Sequence, residues 1–300
     1  DGGHSEFIIK KLGGNVSILG FDLDTDAIAR TQKYLEKGLS DQFGEKAASI
    51  LSNSLTPINA NFSLMEEKLA EKGYGREEGQ KAIDAILFDL GLSTYDLIGS
   101  DKGFTFRKDE PLHMTFGPVD TYPFTAKDIV NDWGAEDKAN VIFAYGEDRD
   151  ARKIARAIVE YRENKAKENR GPIETSKELA DLIDEKFGRF VPEWMVKAGK
   201  GNKTHAATKT FQALRIAVNN ELGHLKIALD KAFKVLKPGG ILEVISYHSL
   251  EDRIVKQITK QWAKDGLAEE LIKKPIVPGE EELRSNPRSR SAKLRIIRKI

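Results

Sequence analysis

One segment, Ala85–Arg107 (AILFDLGLSTYDLIGSDKGFTFR), constrains the fold of this chain more than any other. An apolar run ends in Asp89 and breaks at once into Gly91 and Ser93, and the loop beyond carries Phe104, Phe106 and Arg107. Strands buried on both faces of a parallel sheet read as unbroken apolar runs, and ligands of open α/β sheets sit beyond the strands' carboxyl ends. The segment therefore predicts a parallel strand over Ile83–Leu90 that delivers a carboxylate, a glycine and a hydroxyl to the rim of a cleft. Two aromatics and an arginine follow close behind. Such a set suits a small organic cofactor held beside a planar substrate.

The rest of the chain alternates in the same style. Val16–Leu23 reads as a strand, and Thr25 or Asp26 then caps a helix with Ile28, Leu35 and Leu39 on one face. Leu55–Phe62 reads as a weak strand and turn, and Ser63–Lys72 as a helix. Leu236–Gly240 (LKPGG) forms a turn before a second buried strand, Ile241–Ser246. From His205 to that turn, apolar residues from Phe211 to Leu236 recur at spacings of three and four, which predicts one long helix covering a sheet face. Residues 103–204 differ, being rich in charge and helix signals. Thr175–Glu178 reads as a capping box, Ala151–Tyr161 as an amphipathic helix, and Asn164–Pro172 as a polar loop. The pattern predicts an α/β fold in which an open sheet domain, residues 1–102 and 205–300, is interrupted by an inserted helical domain, residues 103–204.

Composition narrows the chemistry. The chain has 300 residues, enough for two domains, and its 40% hydrophobic residues can bury a real core. No run approaches the roughly 18 apolar residues of a membrane span. The absence of cysteine rules out disulfides, thiolate metal sites and a cysteine nucleophile, and fits a reducing compartment. A net charge of +1 argues neither for nor against nucleic acid. Asp1–Ser5 reads as the end of a glycine turn leading into a helix, with no strand and no initiator Met before it; the pattern predicts a strand upstream.

Four constellations carry candidate chemistry. Gly2, Gly3 and His4, followed by Asp22, fit a glycine turn at a helix start with an acid about 20 residues on, the arrangement that holds a nucleoside cofactor; a terminal turn plus a strand-end acid fits equally. Asp89–Ser93 is the second, for which an ordinary β–α turn is the alternative. Phe104 and Phe106 fit either a stack on a base or a core. Ser246–Arg253 (SYHSLEDR) suggests acid–base work by His248, or a capped helix start. Asn286–Lys299 is basic: Arg284–Ile300 holds seven basic residues and no acidic one. Its alternation predicts an edge strand with a phosphate-attracting side, or one that blocks aggregation. His4, His205 and His248 lack metal-ligand spacing, and His113 and His224 read as structural or solvated.

In this order the pieces closely resemble the bacterial 16S ribosomal RNA cytosine-N4 methyltransferases, nearly end to end. The resemblance runs through GGHS (Gly2–Ser5), FDLDTDAI (Phe21–Ile28), NF (Asn61–Phe62), LFDLGLS (Leu87–Ser93), GFTFRKDEPL (Gly103–Leu112) and AYGEDRDARKIARAIV (Ala144–Val159). It continues with PIETSKELA (Pro172–Ala180), TKTFQALRIAVNNEL (Thr208–Leu222), KPGGILEVISYHSLEDRIVK (Lys237–Lys256) and NPRSRSAKLR (Asn286–Arg295). It implies a class I methyltransferase Rossmann-like sheet interrupted by a helical domain, with S-adenosyl-L-methionine as cofactor and 16S rRNA of the small ribosomal subunit as partner. No membrane or metal is implied, and the cytoplasm is the implied location.

Carried over by position, the resemblance assigns Gly2, Gly3 and His4 to the cofactor's methionine part, Asp22 to its ribose, Phe62 to the adenine region and Asp89 to the transferred methyl. Two departures stand out. Asp96 occupies a cofactor-contacting position usually held by Gln, and Leu112–Phe116 reads LHMTF where the family usually has LDMRM, so His113 and Thr115 differ in a loop expected to face substrate.

The implied reaction is direct in-line transfer of the methyl to the exocyclic N4 of a cytosine. Asp89, or a carbonyl within Asp89–Ser93, would accept a hydrogen bond from the amine, with Ser93 as a further catalytic candidate. Phe104, Phe106 and Arg107 would clamp an unstacked base. RNA would be held by His248, by Arg288, Arg290, Lys293 and Arg295, and by the helical domain. Two other classes stay open: a methyltransferase of another amine, although no Asp/Asn-Pro-Pro-aromatic motif is present, and an RNA-binding assembly factor without catalysis.

Overall fold

The structure, a computed structural model, describes residues 2–188 and 205–300. Asp1 and the expected domain boundary at residue 204 lie outside the described residues. The chain divides into two compact units, Asp1–Gly91 with Leu222–Ile300, and Leu92–Glu221.

The first unit opens with α1 (Gly3–Lys11), β1 (Ile18–Asp22), α2 (Thr25–Phe43), α3 (Ala47–Ser54), β2 (Leu55–Asn59), α4 (Met65–Glu71) and β3 (Ile83–Asp89). Helix α2 is capped by Asp24, whose carboxylate accepts from the Asp26 N–H, and not by Thr25 or Asp26. Asp24 has extended backbone and so leaves its side chain free to turn back on the first helical N–H groups. Leu35 and Leu39, one turn apart, are fully buried with Ile9, Ala47 and Leu51 in a small core. Burying each such leucine stabilises by about 1.5–3 kcal/mol.

The second unit is helical among its described residues: α5 (Thr94–Ile98), α6 (Ala126–Asp132), α7 (Ala135–Gly146), α8 (Ala151–Lys167), α9 (Ser176–Phe187) and α10 (Thr208–Asn219). Its core gathers Phe104, Leu112, Met114, Ile129, Ile142, Ile154, Ile158, Leu179, Phe211 and Leu214. Helix α8 runs on through Asn164–Lys167, where a loop was expected, because Lys165 turns inward to bond the Pro172 carbonyl and the Glu178 carboxylate. That contact also halves the expected capping box. Thr175 caps α9, but Glu178 accepts from Lys165 and from the Glu174 N–H in place of the Thr175 N–H.

The chain returns to the first unit through α11 (Glu221–Val235), β4 (Leu236–Ser246), α12 (Ser249–Lys264), β5 (Ala268–Glu270), α13 (Glu280–Ser285) and β6 (Lys293–Lys299). The single long helix expected from His205 onward is two helices. Asn220, at φ 45, breaks it in the left-handed region that Asn tolerates. Asn219 reinforces the break by bonding the Met114 carbonyl and the Phe116 N–H. The apolar stripe is accordingly shared: Phe211, Leu214 and Val218 belong to the helical core, and Leu225, Leu229 and Ala232 to the sheet core.

Among the described residues the strands form two sheets. One pairs β1 with β2 in parallel, Ile18 opposite Leu55 through Asp22 opposite Asn59. The other has the order β3-β4-β6-β5, with β3 and β4 parallel and the remaining pairs antiparallel. The expected turn Leu236–Gly240 lies inside β4 as an irregularity, since register moves from Ile83 opposite Leu236 to Ala85 opposite Ile241. Strand β6 is not the edge strand that its sequence suggests, for β4 and the short β5 pair with its two sides. Two of its four basic residues are buried, while Arg298 is exposed. Arg295 is buried against Asp252 at 2.8 Å, and the Lys299 ammonium bonds the carbonyls of Phe233, Lys234 and Leu236.

Candidate active site

The site is built where β3 and β4 end. Asp89 stands opposite Ile245, and the Leu90 N–H continues the ladder to the Ile245 carbonyl, so Tyr247, two residues on, arrives beside Asp89. The Tyr247 hydroxyl donates to Asp89 Oδ1 at 2.9 Å. His4 Nδ1 lies 3.4 Å from Asp89 Oδ2, so both carboxylate oxygens are engaged. Burial and the adjoining Asp89 charge push the Tyr247 phenol well above its ordinary pKa, which keeps it a donor. The Tyr247 ring lies against the Gly91 backbone: a Cβ added there would stand 3.6 Å from Tyr247 Cδ2, and Gly91 has φ +93.

His4 reaches this point from the first turn of α1. Gly2 caps that helix with a left-handed backbone, φ +81. A Cβ on Gly2 would come within 2.9 Å of Thr31 on α2, so the turn sits directly on the helix that follows β1. Gly3 and His4 are exposed at the helix start. Asp22, exposed at the carboxyl end of β1, accepts from the Asp24 N–H at 2.9 Å. Its carbonyl receives the Asn59 amide at the same end of β2. Phe62 is half-buried and meets Phe88, the residue before Asp89, edge to face at 5.7 Å.

The other candidates are placed differently. Ser93 and Asp96 form a reciprocal capping box on α5, the Ser93 N–H donating to Asp96 and the Asp96 N–H to Ser93 Oγ. Phe104 is buried and stacks on Phe116 at 5.5 Å, which favours the core reading of this residue over the base clamp. Phe106 stacks on His205 at 4.3 Å and meets Phe211 edge to face, so it too packs within the helical unit; Arg107 is exposed. His248 caps α12 through Nδ1, and Glu251 returns bonds to the Tyr247 and His248 N–H groups. That favours the helix-cap reading over acid–base work.

Lys293 and Arg295, expected to hold RNA, both bond Asp252, Arg295 from a buried position. Burial pushes the Asp252 carboxyl up, and the two cations more than reverse this, leaving it below its ordinary value. Arg288 and Arg290 are exposed on the turn Pro287–Ser291. Thr115, expected to face substrate, is fully buried beside Met114, which holds φ +58. Tyr247 was missed because an aromatic between Ser246 and His248 reads as packing until strand register sets it beside Asp89.

A mixed α/β unit with a glycine-started helix and acids at the carboxyl ends of parallel strands is a Rossmann-like, class I methyltransferase fold. The chain belongs to the MraW methylase family, matched over residues 1–300, and is a methyltransferase. It is similar to proteins named ribosomal RNA small subunit methyltransferase H. That of Coprothermobacter proteolyticus is 42% identical over 283 residues, covering 94% of this chain and 82% of the relative. That of Paenibacillus sp. (strain JDR-2) is 38% identical over 317 residues, covering 99% and 90%. That of Sulfurihydrogenibium sp. (strain YO3AOP1) is 39% identical over 299 residues, covering 100% and 89%.

Proposed function

We propose that the protein transfers a methyl group from S-adenosyl-L-methionine to the exocyclic N4 of a cytosine in 16S ribosomal RNA, acting on the small subunit in the cytoplasm. The observation that carries this is Asp89, held at the end of β3 by His4 and Tyr247, beside the glycine turn that starts α1. The donor set fits the cofactor chemically. Asp22 suits a ribose diol, Phe62 a purine, the N–H groups at Gly2–His4 a carboxylate, and Asp89 a cationic group. When bound, S-adenosyl-L-methionine supplies a methyl already activated on a sulfonium.

The chain's own residues then meet the harder requirement, the acceptor. The N4 lone pair of cytosine is delocalised into the ring, and a carboxylate accepting a hydrogen bond from the amine localises it. Asp89 is suited to that, since each of its engaged oxygens keeps a second lone pair. Holding the two reactants in line accounts for roughly 7–11 kcal/mol of barrier lowering. Ser93 and Asp96, bonded to each other, have no part in this scheme.

RNA contact is assigned to exposed arginines. Arg288 and Arg290 are two of them. Arg152 and Arg156, one turn apart on α8, and Arg149 in the turn before it are exposed and have no hydrogen bond or ion pair among the described residues. Phe143, on the last turn of α7, is 65% exposed. Exposed cations and an exposed aromatic are the groups that suit single-stranded RNA.

The test is methylation of purified small subunits with isotopically labelled S-adenosyl-L-methionine, read by mass spectrometry of the nucleosides. Label in N4-methylcytidine is expected, and Asp89→Ala abolishes it with the fold kept. Label in another nucleoside or in protein alone would refute the assignment.

A further inference from the structure

We propose that Tyr247 is a positioning residue for methyl transfer, its hydroxyl holding the Asp89 carboxylate in the orientation that the acceptor amine requires. The inference rests on the assignment of Asp89 to the amine. Asp89 is 41% exposed and on its own would rotate freely and be solvated. Tyr247 removes that freedom from a rigid base. Its backbone is fixed because the N–H groups of Tyr247 and His248 donate to the buried Glu251 carboxylate at 2.8 and 3.2 Å. Its ring stands close to Gly91, leaving room for no more than a Cβ there, and its hydroxyl reaches Asp89 Oδ1 at 2.9 Å.

The device is a chain of four parts: a capped helix, a strand end, a ring and a carboxylate. His4 takes the second oxygen at 3.4 Å. The remaining acceptor directions of Asp89 are thereby fixed by the protein before substrate arrives. Preset hydrogen-bond geometry of this kind acts on the chemical step more than on cofactor binding. The Tyr247 contact depends on strand order, since β4 lies next to β3 and ends level with it.

The experiment uses the full chain with small subunits as substrate. Tyr247→Phe removes one oxygen and keeps the ring against Gly91. The expected result is a fall in kcat of about tenfold, the size associated with losing one hydrogen bond to a charged group. KM for S-adenosyl-L-methionine and the thermal midpoint stay near wild type. Single-turnover rates are then measured for Asp89→Asn and for the double variant, which separate a positioning role from a packing one. If Tyr247 acts through Asp89, Tyr247→Phe has no further effect in the Asp89→Asn background. Wild-type kcat in Tyr247→Phe, or independent multiplication of the two effects, overturns the inference while leaving the Asp89 assignment intact. Wild-type turnover in Asp89→Asn overturns that assignment and this inference together.

Discussion

Lys138 offers a quantitative test of how the helical unit is balanced. Its side chain is 1% exposed on α7, and its ammonium donates to the Trp133 carbonyl. The Arg162 guanidinium converges on the same region, bonding the carbonyls of Asn131 and Trp133. Burial, and secondarily the Arg162 charge, lower the Lys138 pKa from 10.5 to about 8. Between those values the unfolded chain binds a proton that the folded chain lacks, so stability rises with pH. The full difference, about 2.5 pKa units, corresponds to about 3 kcal/mol, of which about 2 kcal/mol falls between pH 7 and pH 9.5. Other groups titrate over that range, so the comparison needs Lys138→Met, which fills similar volume without the charge. Urea unfolding followed by tryptophan fluorescence is run for both proteins across the interval. The wild-type stability is expected to gain about 2 kcal/mol on the variant. A difference that stays flat with pH would show that Lys138 is not held in the low-dielectric site described, and would refute the reasoning.

Two further outcomes are expected. Gly103 has φ +81, and a Cβ there would stand 2.3 Å from the Pro111 carbonyl oxygen, so Gly103→Ala should lower unfolding free energy by at least about 2 kcal/mol in the same urea assay. Replacing Arg149, Arg152 and Arg156 together by Gln should weaken binding of the protein to small subunits and flatten its salt dependence by about three phosphate contacts, with S-adenosyl-L-methionine affinity unchanged in calorimetry.

What the residues disclose in advance follows from how local the determining physics is. Strands β3 and β4 are legible from their apolar stretches, Ala85–Phe88 in the one and Ile241, Leu242, Val244 and Ile245 in the other, although β3 is only partly buried. The glycine start at Gly2–His4 and the acids Asp22 and Asp89 are legible for the same reason, as residues at strand and helix ends. Strand β5, Ala268–Glu270, has no apolar run, and its existence depends on a partner 29 residues away in Arg298 and its neighbours. Without β5 in view, β6 reads as an edge and Arg295 as a surface charge. The break at Asn220 is hidden because the apolar stripe passes it without losing phase, and only the bonds of Asn219 to Met114 and Phe116 reveal it. The Asp89–Tyr247 contact spans 158 residues and depends on strand register, which no local motif encodes.

The interior place of β6 bears on how the molecule assembles during synthesis. Strand β3 emerges from the ribosome early, yet its sheet needs β4 and then β6, whose last paired residue is Lys299. The helical unit is continuous from Leu92 to Glu221 and is complete long before that. During synthesis the residues of the helical unit thus emerge before β6, which the sheet needs between β4 and β5. The carboxylate clamp therefore depends on a strand that follows Asp89 by about two hundred residues, and a chain cut before Lys293 lacks the partner that pairs with both β4 and β5.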